Sequence, residues 1–228
     1  MKAKKVAIWV IAIGILLLIF QPAQASTIEF GLDVRISGTN IPRGDAPWVT
    51  AEFQNATSTE AALVPSSGIR LIMSTSNLEG SENVRKWYFN FDNPNVAVED
   101  LKFGYDDDST GPEAANIRTD EDNINAKGGG FFDIRFGFAS KGDRFRQLEE
   151  VVYFITAPSG SDIDPSNFSS ISVLGAREGY FSAARIKGVR DAEGGNASIA
   201  ANVPIPGAVW LLGSGLAGLV LVRRRFKN

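Results

Sequence analysis

Residues 26–37 alternate almost without fault. Ile28, Phe30, Leu32, Val34 and Ile36 fall on one face and Glu29, Asp33 and Arg35 on the other, which predicts one half-buried strand. After a loop with Gly38, Pro42, Gly44 and Pro47, a strand is predicted over 48–53 and another over 68–74, with a polar loop over 54–67 between them. Trp87, Phe89 and Phe91 alternate with Lys86, Tyr88 and Asn90 in a strand over 84–91, and a further strand over 98–105 follows a turn at Pro94. Residues 106–130 carry little apolar content and end in three glycines, so they read as a long loop. Phe132, Ile134, Phe136 and Phe138 define the strongest strand, over 131–139. The charged stretch 141–149 reads as a helical turn, and 151–156, apolar on both faces, as a central strand. Asp164 before Pro165 has the form of an N-cap followed by proline at the first helical position, predicting one short turn over 165–169. Strands over 171–174 and 181–189 complete the body, and 191–202 reads as a small-residue linker. About nine short strands without a helix-period segment predict an all-β fold, an antiparallel β-sandwich over 26–190.

The two ends read differently. Residues 1–25 have a basic start, an apolar run over 6–20 and a small-x-small ending at Ala23 and Ala25, the pattern of a secretory signal peptide cleaved after Ala25. At the other end, Val203, Pro204, Ile205 and Pro206 precede an apolar run over 207–222 and then Arg223, Arg224, Arg225 and Lys227. The prolines lack an amide donor and fix φ, so they predict a turn from which a helix could start. That helix would be roughly 24 Å long, against about 30 Å for a bilayer core, so it spans only with flanking help. The arginines would act as a basic stop among cytoplasmic head groups. The expectation is a C-terminal transmembrane helix.

This arrangement, with Trp210, Leu211, Gly213, Ser214, Gly215 and Leu216 inside the apolar run, resembles the C-terminal sorting signal of PEP-CTERM proteins, substrates of exosortases in Gram-negative bacteria. Ile205 stands where the family's namesake motif has Glu. The segments IEFG, WYFNFD, FFDIRFGF and SAARI also look like motifs of β-rich members of that group. The resemblance implies an exported protein, held transiently in the inner membrane and then placed at the cell surface or outside the cell. It implies a structural or adhesive role in exopolysaccharide or biofilm. The implied partners are the Sec translocon, signal peptidase, an exosortase-like enzyme and exopolysaccharide.

Composition narrows the chemistry. There is no Cys, so no disulfide supports the exported chain, and no His, so Ser-His-Asp and Cys-His nucleophiles and the usual zinc and copper sites are excluded. The chain has 23 basic and 26 acidic residues. Seven of the basic ones, Lys2, Lys4, Lys5, Arg223, Arg224, Arg225 and Lys227, stand at ends without acids, which leaves the body at a net charge of −10. Such a body disfavours nucleic acid as a partner.

Asp106, Asp107, Asp108, Asp120 and Asp122, with Glu113 and Glu121, make the 106–130 segment oxygen-rich, as Ca²⁺ requires, but without EF-hand or nonapeptide spacing. The plainer reading is a solvated loop. Carboxylates flanking a glycosidic bond would serve hydrolysis, yet nothing selects a pair among so many acids, and no enzyme is expected. Trp48, Tyr88 and Tyr180 are candidates for stacking on sugars, or else packing residues. The alternative to a structural role is therefore an extracellular carbohydrate- or Ca²⁺-binding module.

Overall fold

The computed structural model describes residues 27–38, 40–56, 68–159, 161–173, 179–189 and 195–202, and the backbone of 204–206. Thirteen strands are named among them, all paired antiparallel. They are β1 (Thr27–Leu32), β2 (Val34–Gly38), β3 (Val49–Asn55), β4 (Ile69–Ser74), β5 (Asn83–Phe89), β6 (Lys102–Tyr105) and β7 (Asn116–Ala126). Then follow β8 (Gly130–Gly137), β9 (Phe145–Arg146), β10 (Glu150–Thr156), β11 (Ser182–Lys187), β12 (Asn196–Ala201) and β13 (Pro204–Pro206).

The first sheet runs β13-β1-β3-β4-β10-β6 and the second β2-β12-β11-β5-β8-β7, with β9 beside β5. The expected all-β, two-sheet architecture is what forms. Between the sheets lies the main core, whose rings cross from layer to layer. Phe53 of β3 meets Phe89 of β5 edge-on at 5.1 Å, and Phe136 of β8 meets Tyr153 of β10 at 4.9 Å. The Trp87 indole is fully buried there, its Nε1 donating to Ser182 Oγ at 3.0 Å so that no polar atom is stranded.

Several segments differ from expectation. The alternating run 26–37 is two strands in different sheets. The chain crosses at exposed Asp33, and the alternation continues through the crossing, so periodicity could not mark it. Within 106–130, read as a loop, lies β7, an edge strand of eleven residues whose first half is exposed or half-exposed throughout and carries polar residues. Residues 196–201, read as linker, form β12 in the interior of the second sheet. Residues 145–146 are a short strand rather than part of a helical turn, and of 171–173 only Val173 bridges, to Phe131. The Asp164 cap stands as expected: its carboxylate accepts from Ser166 N at 2.7 Å, and Asn167 Oδ1 accepts from Asp164 N at 2.9 Å.

The expected C-terminal transmembrane helix, and the inner-membrane stage drawn from it, require correction. Among the described residues no helix is long and apolar enough to cross a membrane. The prolines expected to form a turn opening that helix instead form β13, with Pro204 opposite Phe30, Ile205 opposite Glu29 and Pro206 opposite Ile28. Extended proline backbone at a sheet edge needs no amide donor, which is why an edge strand accommodates it. The apolar run over 207–222, already short for a bilayer, lies outside the described residues.

Candidate cationic cleft and the placement of the expected sites

The second sheet is covered on both faces. On the side away from the main core lies a smaller apolar cluster that includes Ile36, Tyr88, Ile124, Phe132, Ala183 and Ala200. Its cover is the turn between β7 and β8, residues 127–129, which folds across to β2 at the far edge. Ser37 Oγ donates to the Lys127 carbonyl at 3.0 Å, and Ser172 Oγ to the Gly129 carbonyl at 2.7 Å, pinning the turn from two sides. Glycine is needed at two places in this bend. Gly128 has φ of +89°, and Gly130 has φ of +91° and would bring a Cβ to 2.8 Å from the Val173 carbonyl oxygen.

Asp133 makes this fold-over possible. β7 shifts register between Thr119 and Ile124, and the buried Asp133 carboxylate fills the break in the ladder. Its Oδ2 accepts from Phe91 N at 2.8 Å and its Oδ1 from Asp122 N at 2.6 Å. Burial pushes the Asp133 carboxyl above the usual range, while the two amide donors act against that shift.

Under the turn lies a cleft of about 230 Å³. Lys86, Lys127, Arg185, Asn125 and Ser198 supply its polar lining. Register brings these together from distant parts of the chain: Ser198 pairs with Arg185, and Arg185 with Lys86, across β12, β11 and β5. In the neighbouring row Ala183 pairs with Tyr88, Tyr88 with Arg135, and Arg135 with Arg118. Burial lowers the Lys86 ammonium, and Arg135, Arg185, Arg85 and Lys127 lower it further. Burial likewise pushes the Tyr88 phenol up, so it stays a neutral donor.

The expected site residues are placed as follows. Pro204, Ile205 and Pro206 sit at the outer edge of the first sheet. Val203, Ala23, Ala25, Arg223, Arg224 and Arg225 lie outside the described residues. The Ca²⁺ candidates fall in two places. Asp106, Asp107 and Asp108 follow β6 in the first sheet, where Asp106 Oδ1 accepts from Asp108 N at 3.1 Å to close its own turn. Asp120 and Asp122 lie on β7 in the second, Asp120 bound to Arg118 and Asn123, contacts that lower its carboxyl. Among the described residues no group of three or more Asp or Glu is placed to hold a metal ion. Trp48, Tyr88 and Tyr180 are all buried: Trp48 packs in the main core and Tyr180 in the outer cluster, while Tyr88, also in the outer cluster, lines the cleft.

Sequence reasoning did not find the cleft. Its one local signal is Lys86 and Tyr88 on the same face of β5; the partners Arg185, Lys127 and Ser198 depend on register and on the path of the turn. No family model, no curated protein and no solved structure matches the chain.

Proposed function

We propose that the chain is an exported extracellular protein, structural or adhesive within an exopolysaccharide matrix, whose Val-Pro-Ile-Pro signal is read by an exosortase-like enzyme. The observation that supports this most is the place of the motif. Pro204–Pro206 is the outermost strand of its sheet, three residues long, and of these only Ile205 has an amide to donate. A proline-bearing edge strand is lightly held and cannot template further pairing. An enzyme that took the motif from such a strand would break only one strand pairing.

The test is the intact mass of the protein recovered from outside the cells of its host. The expected species lacks residues 1–25 and the segment following the motif. A Pro204→Ala, Pro206→Ala double variant is expected to keep its C-terminal end. Extracellular wild-type protein that still ends at Asn228 would overturn the sorting reading. The cationic cleft favours a binding role alongside the structural one.

A further inference from the structure

We propose that the cleft beneath the β7–β8 turn binds a carboxylate-bearing sugar residue, an acidic unit of an extracellular polysaccharide, with Lys86 and Arg185 on the floor side and Lys127 on the roof. The proposal rests on the extracellular reading only for where such a ligand would be met.

The first argument is electrostatic. Like charges directly opposite each other on neighbouring strands destabilise a sheet, yet Arg185 faces Lys86 and Arg135 faces Arg118. Arg118 has Asp120. Lys86 has no such relief: every charge acting on it is a cation. Among the described residues neither Lys86, Arg185 nor Lys127 makes an ion pair, and the Nε of neighbouring Arg135 is buried without a hydrogen-bond partner. A body of net charge −10 has acids to spare, but places none in this cleft. A half-desolvated cation cluster that breaks the local pairing rule is what a site for an anion looks like before the anion arrives.

The second argument is shape and lining. At about 230 Å³ the cleft falls below the roughly 300–1,000 Å³ of sites that enclose drug-sized ligands, so it takes one ring rather than a run of them. Asn125 and Ser198 offer both donors and acceptors, as hydroxyls need. Ala183, Ala184 and Ile36 give an apolar wall for ring C–H groups. A densely charged polymer such as nucleic acid would instead meet the acidic remainder of the body. One carboxylate per sugar residue satisfies the cleft without bringing that repulsion.

The test is calorimetric titration of the full-length chain with tetragalacturonate at low ionic strength, beside the neutral tetramer of glucose and inorganic phosphate. Binding of the acidic tetramer is expected, weakening as salt is raised. Lys86→Gln and Arg185→Gln should each lower affinity at least about tenfold, the usual cost of losing one charged hydrogen bond. Lys127→Gln, at an exposed position that leaves folding unaffected, should also lower it, and thermal melts of all three confirm that the fold persists. The proposal is overturned by no binding at millimolar tetramer, by equal binding of the neutral tetramer, or by affinity unchanged in Lys127→Gln together with the other two. Inorganic phosphate displacing the tetramer at equal concentration would reduce the cleft to a simple anion site and reject the saccharide. None of these outcomes depends on whether the C-terminal segment is removed, so the sorting reading stands or falls separately.

Discussion

Strand β4 buries every second residue, whereas β12 buries five in succession. The two strands belong to different sheets, and the contrast extends to their neighbours β3 and β11. Over β3 and β4 the first sheet has one face on the core and one toward solvent, the usual condition of an antiparallel sheet. The second sheet has a core on each side, although no third layer exists among the described residues. A turn of three residues and the end of one strand supply the second cover. What this teaches is that a small fold-over can desolvate a whole sheet face, and with it any charges the face carries.

The comparison can be broken most severely from the shared side. Phe136 is fully buried and touches Phe89 of its own sheet and Phe103 and Tyr153 of the other. Phe136→Ala is expected to cost about 3–5 kcal/mol and to shift a single urea transition, because both sheets lose the same contact. Next in size is Asp133→Ala, at about 2 kcal/mol, since the buried Phe91 amide and the part-buried Asp122 amide lose their acceptor. Asp133→Asn should retain part of this, having one acceptor oxygen rather than two.

A smaller change separates the two faces of the second sheet. Ile124→Ala, in the outer and smaller of the two clusters, should cost about 2 kcal/mol, the low end for such a truncation. Hydrogen exchange is the informative measurement. The Gly129 and Phe131 amides at the turn should exchange faster while those of β3 and β4 hardly change. Equal acceleration in both would mean that the outer cluster is not a separate unit.

The smallest effect belongs to the first sheet. Glu29 lies directly opposite Glu52, and burial, then that neighbouring carboxylate, raise its pKa. A raised folded-state value gives stability that is present below the unfolded pKa and lost as pH rises through the folded one. Wild-type Tm should therefore slip as pH climbs through and just above the carboxylate range. Glu52→Gln should flatten that slope, and a slope unchanged by it would mean burial alone acts on Glu29.

The same contrast explains what was legible in the chain. β3, β4, β5 and β8 announce themselves because apolar residues recur with period two against solvent or core. β12 does not, because Ala197, Ser198, Ala200 and Ala201 around the single Ile199 are small and buried on both faces, a composition shared with linkers. β7 does not, because an edge strand with Asp120, Glu121 and Asp122 exposes the polar side chains that elsewhere mark loops. The proline motif was readable as a motif, though its pairing with β1 was not. The cleft was unreadable for a different reason: its cations lie on β5, β11 and the β7–β8 turn, and only register brings them together.

The position of β12 also sets a timetable. Among the described residues β2 has one strand partner, β12: Ala197 pairs with Gly38 across most of the chain's length. A chain made from its N-terminus holds β2 without this partner until residues 196–201 have been synthesised, and pairings this distant form slowly. The second sheet therefore cannot close on a partly made chain. The first sheet has no such wait: β1, β3, β4, β6 and β10 are all made by residue 156, so on a growing chain it can assemble ahead of the sheet that carries the cleft.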